Sequence, residues 1–373
     1  MTPTVVPFVD LGAQYASIRG EIRAAIDRVL ESQAFILGSE VTEFEQELSA
    51  HVGVRHAIGV SSGTDALLAA LMAIGVGPGD EVVTTPFTFV ATSQVIARLG
   101  ARAVLVDIEP SGFAIDAARI DAAITAKTKA IVPVHLFGEL ADMRAIQAVA
   151  AARGVPVVED AAQAIGARRD GLRAGEAACL AAYSFFPTKN LGAYGDAGAV
   201  LTDDDALAQR VRRVRAQGQP RRHVATEVGG NFRLDALQAA ILRVKLTHLA
   251  HWTAARRRVA ESYVRLISEL GLEAYLTAPT LRDGSVHHQF AVRTGPRDAL
   301  RSHLADRGIG TEIYYPTPMH LQPCFSSWGY ARGDFPHAER ATQEVLALPI
   351  YPELTLAAQT EVACAIRDFF AAR

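Results

Sequence analysis

Hydrophobic and polar positions along the chain follow two different periodicities, which predict an alternation of helices and strands. Near the N-terminus apolar residues recur every three or four positions with charged residues between them, which predicts an amphipathic helix through about residues 18–30. From about residue 56 to about residue 200, short β-rich runs such as 56–60, 81–86 and 155–160 alternate with helical stretches. Several of these runs are apolar throughout, as expected for strands buried on both faces of a parallel sheet.

The pattern changes in the second part of the chain. From Leu234 a helical periodicity continues to about residue 266, and it is followed by strand-like runs at 287–294 and 310–315 and by further helical stretches. We therefore predict an α/β protein with a large, mostly parallel-sheet domain at 1–245 and a smaller C-terminal α+β domain at 246–373.

Composition excludes several functional classes. The chain has 373 residues, half of them hydrophobic, and a net charge of −3, so it carries no electrostatic footprint for nucleic acid or an anionic membrane. No apolar stretch reaches the roughly 18 residues of a membrane helix, and the N-terminus lacks the pattern of a signal peptide. Cys179, Cys324 and Cys364 lie far apart and fit neither disulfide pairing nor zinc binding, which favours a cytoplasmic protein.

Histidines do not suggest a metal site. His287 and His288 are adjacent, so on a strand they would point to opposite faces, and no further ligand follows at useful spacing. We expect His135, at the end of an apolar run, to be a structural histidine.

Three segments near predicted strand ends carry candidate chemistry. Gly63 and Thr64 begin a helix after a strand, and such a start can bind phosphate through backbone N–H groups, although it is also an ordinary helix cap. Glu159 and Asp160 end an apolar strand, where a carboxylate is either functional or caps the next helix. Lys189 follows an apolar-aromatic run and precedes a turn whose three glycines are expected to permit the backbone path: Gly192, Gly195 and Gly198.

Together the three segments meet the requirements of pyridoxal 5′-phosphate (PLP). This cofactor needs a lysine amine for covalent attachment, a carboxylate against its pyridinium nitrogen and a phosphate cup. An ordinary lysine has a pKa of about 10.4, so Lys189 would need burial to become a nucleophile at neutral pH. The sequence therefore predicts a PLP site made by Lys189, Asp160 and the turn at Gly63.

The chain resembles the DegT family of nucleotide-sugar aminotransferases, which are PLP enzymes of fold type I. The resemblance extends from FVDLGAQY at 8–15 to PIYPEL at 349–354. Its most specific motifs are SGTDAL, EDAAQ, SFFPTKN and GGNFRLDALQAA. Because sugar dehydratases on this fold carry histidine at the position of Lys189, the lysine favours an aminotransferase.

The resemblance implies a role for individual residues of the cofactor site. Lys189 would bind the cofactor covalently and act as base and acid, Asp160 would pair with the ring nitrogen, and Gln163 would contact the 3-hydroxyl group. Phe89 would stack on the ring with Ala162 opposite. The residues expected to hold the phosphate are Gly63, Thr64 and Ser184.

Further roles implied by the resemblance concern partners and substrate. Asn231 matches a residue that reaches the phosphate of the neighbouring subunit, which implies a homodimer with shared active sites. The expected substrate contacts are Arg233, Tyr314, Tyr315 and His320, whereas Arg221 and Arg222 are expected to be solvated.

The resemblance also suggests a substrate. The Asn-x-Arg-Leu-Asp form at 231–235 is similar to the sugar 3-aminotransferases, with glutamate as donor, and Tyr314 stands where enzymes acting on uronic acids tend to have histidine. We expect a dTDP-3-keto-6-deoxyhexose. The alternatives are a UDP-linked 3-keto uronic acid, a 4-keto sugar, or a regulatory protein that binds PLP without turnover.

Overall fold

The computed structural model describes residues 5–221 and 223–372. The predictions that concern the first four residues and Arg222 lie outside this part of the chain. The described helices are α1 Leu11–Ser32, α2 Ser39–Val52, α3 Gly63–Ala73, α4 Val90–Arg98, α5 Ile120–Ala123, α6 Met143–Arg153, α7 Asp205–Arg215, α8 Ala236–Glu269, α9 Arg297–Asp306, α10 Pro336–Glu344 and α11 Leu356–Ala371. The described strands are β1 His56–Val60, β2 Glu81–Thr84, β3 Arg102–Leu105, β4 Thr128–Ile131, β5 Val158–Asp160, β6 Arg168–Arg169, β7 Leu172–Arg173, β8 Leu180–Ser184, β9 Gly198–Thr202, β10 Phe290–Arg293 and β11 Val345–Leu348.

Seven strands form the central sheet in the order β3-β2-β4-β5-β8-β9-β1. The pairs β3–β2, β2–β4 and β5–β8 are parallel, and parallel bridges at Ile131–Val157 and Val134–Asp160 join β4 to β5. Strand β9 is antiparallel to both of its neighbours, β8 and β1. The mostly parallel sheet is as predicted, and its antiparallel strand is a feature that the hydrophobic pattern does not distinguish.

Helices cover both faces of this sheet. Helices α2, α6 and α8 share one hydrophobic core with the strands, and α3, α4 and α7 share the other. Successive strand residues therefore enter different cores; Ala181 packs in the first and Ala182 in the second. Because both faces are covered, the strands are apolar throughout.

Helix α8 connects the sheet to the C-terminal region. Its N-terminal half packs in the core with α2, and residues from Val259 to Ile267 pack in a third core with β10, β11 and α11. Strands β10 and β11 pair antiparallel. The predicted domain boundary at residue 245 lies inside α8, and it remains a prediction.

Two predicted strands are shorter in the structure or missing. The run 287–294 forms a strand only from Phe290 to Arg293, and the run 310–315 makes a single bridge, Glu312–Ala347, although it is rich in β-favouring residues. In the described residues, no helix is long and apolar enough to cross a membrane.

Candidate active site

A cavity of about 430 Å³ opens at the carboxyl ends of β5 and β8, where Asp160 and Ser184 end their strands. Ligands bind at this edge of open α/β sheets because the strand ends and helix starts converge there. The structure brings ten of the predicted residues to the cavity: Gly63, Thr64, Phe89, Asp160, Ala162, Gln163, Ser184, Lys189, Tyr314 and Tyr315.

Lys189 lies on the turn that follows β8, and its N–H group donates to the Phe186 carbonyl at 2.8 Å. Burial lowers the pKa of its amine to about 8, and the nearby Asp160 carboxylate opposes this shift. The amine is consequently much more often unprotonated at neutral pH than an ordinary lysine, as a nucleophile or base requires.

Two of the three glycines after Lys189 are required for space. None of the three has a φ in the left-handed region. A Cβ atom on Gly192 would lie 2.3 Å from the Pro187 carbonyl oxygen, and one on Gly198 would lie 2.4 Å from that of Ser62. The turn therefore needs glycine for close backbone approach, which holds the lysine loop against the start of α3.

Asp160 is the carboxylate that faces the cavity. Its Oδ2 accepts a hydrogen bond from Thr92 Oγ1 at 2.7 Å, and its Oδ1 accepts one from the Ala162 N–H group at 3.2 Å. Burial raises its pKa in spite of these two bonds and of Lys189. A buried carboxylate without a bonded cation fits a cationic ring nitrogen, whose charge would stabilise the ionised form.

Glu159 points to the other side of the sheet. Its carboxylate accepts hydrogen bonds from the N–H groups of Gly175 and Ala177, both at 2.9 Å, and lies 2.8 Å from His135 Nε2. The Ala141 N–H group donates to His135 Nδ1 at 3.2 Å, so Nε2 carries the hydrogen and donates to Glu159. This pair buries His135, which also lines the cavity, so the structural role of His135 stays a prediction.

The start of α3 is capped by a side chain, and it also leaves backbone N–H donors free to bind a ligand. Ser62 Oγ accepts from the Asp65 N–H group at 3.0 Å, so these two residues cap the helix. The N–H groups of Gly63 and Thr64 lie in the first turn, where no intrahelical acceptor exists. A Cβ atom on Gly63 would lie 2.5 Å from Ser184 Cβ, so glycine brings these donors against β8. These residues fit a phosphate group.

The opposite wall of the cavity is aromatic and amide-rich. Phe89 is half-exposed, with its ring centroid 5.9 Å from that of Tyr315. Gln163 Oε1 accepts from the Phe137 N–H group at 2.7 Å, and its Nε2 donates to Tyr315 Oη at 3.2 Å. These bonds orient the Gln163 amide. Burial raises the pKa of the Tyr315 hydroxyl, which therefore stays protonated.

Three predicted residues do not line the cavity of their own chain. His320 is buried beside Phe335 with its Nε2 3.0 Å from Glu339, so the geometry does not support its expected contact with substrate. Asn231 is exposed and Arg233 is half-buried, and both pair through backbone bridges outside the cavity.

The structure also adds residues that the sequence patterns missed. His288 and Gln289 line the cavity, and Asn190 bonds to His288 from the position after Lys189. The sequence suggests no role for His288, since a metal site there is not expected, and the described residues hold no cluster that could bind a metal ion. His288 and Asn190 are 98 positions apart in the chain, so no local sequence motif reveals their contact.

A buried lysine, a buried carboxylate and a helix N-terminus at the carboxyl edge of a mostly parallel sheet define a PLP-dependent transferase of fold type I. Residues 16–367 match the DegT/DnrJ/EryC1/StrS aminotransferase family. The chain belongs to this family, and it is a PLP-dependent aminotransferase.

Relatives are similar along nearly their whole length. The chain is 49% identical over 367 residues to the "Pleiotropic regulatory protein" of Geobacillus stearothermophilus, covering 98% of each chain. It is 43% identical to the dTDP-3-amino-3,4,6-trideoxy-alpha-D-glucose transaminase of Streptomyces venezuelae, covering 98% of this chain and 96% of the relative. It is 42% identical to the UDP-2-acetamido-2-deoxy-3-oxo-D-glucuronate aminotransferase of Pseudomonas aeruginosa, covering 97% and 99%. The crystal structure of S. venezuelae DesV superposes with a TM-score of 0.95 at 42% identity and covers 99% of each chain.

Proposed function

We propose that the protein transfers an amino group from glutamate to carbon 3 of a nucleotide-linked keto sugar, and that its substrate is a dTDP-3-keto-6-deoxyhexose. The observation that carries the proposal is the cavity that combines Lys189 and Asp160 in a chain similar to 3-amino sugar transaminases. The motif at 231–235 supports carbon 3 over carbon 4, which is the main rival for the position of the carbonyl group.

The residues of this chain divide the work of the reaction. The first-turn N–H groups of α3 and Ser184 would hold the cofactor phosphate, and Asp160 would keep the ring nitrogen protonated. Bound PLP supplies the electron sink that makes the hydrogen on the amino-bearing carbon acidic. Lys189 Nζ would accept that proton and donate it again in the next step, since its lowered pKa allows it to act first as base and then as acid.

The charge of the cavity favours a neutral sugar. A carboxylate at carbon 6 would call for a cationic partner, best a bidentate arginine. Among the described residues of the same chain no arginine lines the cavity, so an arginine would have to come from a second copy, and Lys189 is needed for the reaction itself. This favours the 6-deoxyhexose over a UDP-linked uronic acid, although relatives with both kinds of substrate are about equally similar to the chain.

The same geometry supports a homodimer with shared active sites. Asn231 is exposed outside the cavity of its own chain. Three apolar side chains are also exposed, Val228 close to Asn231 in the sequence and Phe35 and Ile36 at the end of α1. The bridge between Ile36 and Asp235 places part of this surface beside the Asn231 segment. We propose that the surface packs on a second copy and brings Asn231 to its phosphate site. The free cysteines support a cytoplasmic location.

The substrate assignment is tested with a panel of nucleotide-linked keto sugars. Purified protein with PLP and glutamate should convert the dTDP-3-keto-6-deoxyhexose, and NMR of the product should locate the new amine at carbon 3. A product aminated at carbon 4, or turnover only of UDP-linked uronic acids, would contradict the assignment. Absence of turnover with every sugar would favour a regulatory protein, as the name of one relative suggests.

The shared sites are tested by mixing inactive variants. Lys189→Ala and Asn231→Ala subunits should each have little activity, and a mixture that exchanges subunits should regain up to about one quarter of wild-type activity if one native site forms per mixed dimer. A fully active monomer in sedimentation would contradict the proposal.

A further inference from the structure

A chain of side-chain hydrogen bonds joins the segment 286–289 to the loop of Lys189. Asn190 Nδ2 lies 2.9 Å from the carbonyl oxygen of Val286, and Asn190 Oδ1 lies 3.2 Å from His288 Nδ1. A carbonyl oxygen can only accept, so the Asn190 amide group is oriented with its nitrogen toward Val286. Its oxygen then faces His288, and Nδ1 of the imidazole must carry a hydrogen.

His288 is neutral in this environment. The side chain is buried, and burial together with the positive charges of Lys189 and Arg256 holds the pKa of the imidazole well below its usual range. Arg256 lies behind the histidine and donates to its carbonyl oxygen at 3.3 Å, while Asn190 is uncharged. A neutral imidazole with its hydrogen on Nδ1 has a lone pair on Nε2, which is therefore an acceptor.

This acceptor is only weakly used within the protein. The nearest side-chain partner given by the structure is Gln289 Nε2, at 3.5 Å, the outer limit of a hydrogen bond. If Gln289 Nε2 donates, Gln289 Oε1 remains as a second acceptor. His288 and Gln289 line the cavity together with Lys189, so this wall offers acceptors to a bound molecule. It suits a hydroxyl donor and disfavours a carboxylate or phosphate oxygen.

We propose that His288 Nε2 binds a hydroxyl group of the sugar substrate close to the carbon that receives the amine, with Asn190 and Gln289 as positioning residues. The inference rests on the proposed function, because it assumes a sugar whose reacting carbon meets Lys189. It adds a specificity that the function does not require: sugars lacking this hydroxyl group become poor substrates, because the buried acceptor is left without a donor.

A matched pair of variants tests this role. His288→Asn keeps a donor near the position of Nδ1 and removes the acceptor at Nε2, whereas His288→Gln places an amide oxygen near the position of Nε2. For the keto sugar, kcat/KM should fall roughly 10- to 100-fold in His288→Asn and recover in part in His288→Gln. The half-reaction with glutamate should change little in both variants.

Deoxy sugars locate the contact. Each protein is assayed with a series of substrates that each lack one hydroxyl group. Removal of the bound hydroxyl group should lower kcat/KM of the wild type, but it should cause no further loss in His288→Asn. The proposal would be overturned if His288→Asn lost as much activity in the half-reaction with glutamate as in the half-reaction with the sugar. It would also be overturned if wild type and His288→Asn still differed in kcat/KM on every one of the deoxy substrates.

The protonation state can be read without turnover. Nitrogen-15 NMR of the wild-type holoenzyme should show His288 as a neutral ring with hydrogen on Nδ1 at neutral pH. Asn190→Asp should raise the pKa of His288, so that kcat/KM for the sugar begins to fall at a higher pH than in the wild type. A charged ring, or hydrogen on Nε2, in the wild type would refute the inference. Failure of every keto sugar to react would instead refute the proposed function and leave the NMR result intact.

Discussion

The two walls of the active-site cavity are built in different ways. On the sheet side, Asp160 and Ser184 end strands and Lys189 precedes a tight glycine turn, so backbone structure sets their positions. On the C-terminal side, His288 and Gln289 lie on irregular chain before β10, where both of their N–H groups donate to the Phe137 carbonyl, at 2.9 and 3.3 Å.

We expect the two walls to have different roles, with the sheet wall serving the reaction and the C-terminal wall serving the choice of sugar substrate. We propose that the sheet wall carries the residues that hold the cofactor, and regular structure gives this wall rigid geometry. The C-terminal wall depends on a few long-range hydrogen bonds, such as those of Asn190 with Val286 and His288. Substitutions on the sheet wall should therefore affect both half-reactions, whereas those on the C-terminal wall should affect the sugar.

The largest expected effect is at Lys189. Lys189→Ala should abolish turnover, and borohydride reduction of the wild-type holoenzyme should attach the cofactor to Lys189, as peptide mass spectrometry would show. Lys245 is a matched control, because burial also lowers its pKa to about 8 but its ammonium group lies over the ring of Tyr194, away from Asp160. Reduced cofactor on Lys245 would disprove the site.

The two carboxylates at the end of β5 should have opposite effects. Asp160→Asn should lower kcat by roughly 10²–10³-fold in both half-reactions, because the ring nitrogen loses its counter-charge. Glu159→Gln should mainly reduce stability, by about 1–3 kcal/mol, because two backbone donors and His135 lose a charged acceptor. Single-turnover kinetics and urea unfolding measure the two effects. The reverse result, a stable but inactive Glu159→Gln, would show that the wrong carboxylate was assigned.

A further expected effect concerns the stability of the cofactor-free protein. The pKa of Lys189 is about 8 in the folded protein and near 10.5 in the unfolded chain, so between these values the unfolded state binds more protons and stability rises with pH. Lys189→Met should be more stable than the wild type at neutral pH. The difference between their free energies of unfolding should narrow by roughly 3 kcal/mol as the pH rises from 8 to 10.5. Urea unfolding across this range measures it, with the exposed Lys127→Met as control. A gap independent of pH would mean that the amine is not desolvated.

The sequence alone was sufficient for the alternation of elements, the doubly covered sheet and the cofactor motifs. The positions of Gly63 and Lys189 in the site can be predicted from the sequence because they depend on local features: a strand, a turn without room for a Cβ atom, and a helix start. Strand alternation also implied that Glu159 and Asp160 face opposite sides. The relation to the aminotransferase family follows from the same motifs.

Tertiary structure decided what local patterns leave open. The neighbours of β5 determine that Asp160, and not Glu159, faces the cavity, and β9 runs antiparallel because of how the chain returns after Lys189. The run 310–315 has strand propensity, but among the described residues its strand-like backbone pairing is limited to Gly310 with Val6 and Glu312 with Ala347. It therefore becomes a loop that carries Tyr314 and Tyr315 to the cavity. The bond between Asn190 and His288 joins residues 98 positions apart. Such contacts depend on which elements pack together, and short-range periodicity contains no information about that packing.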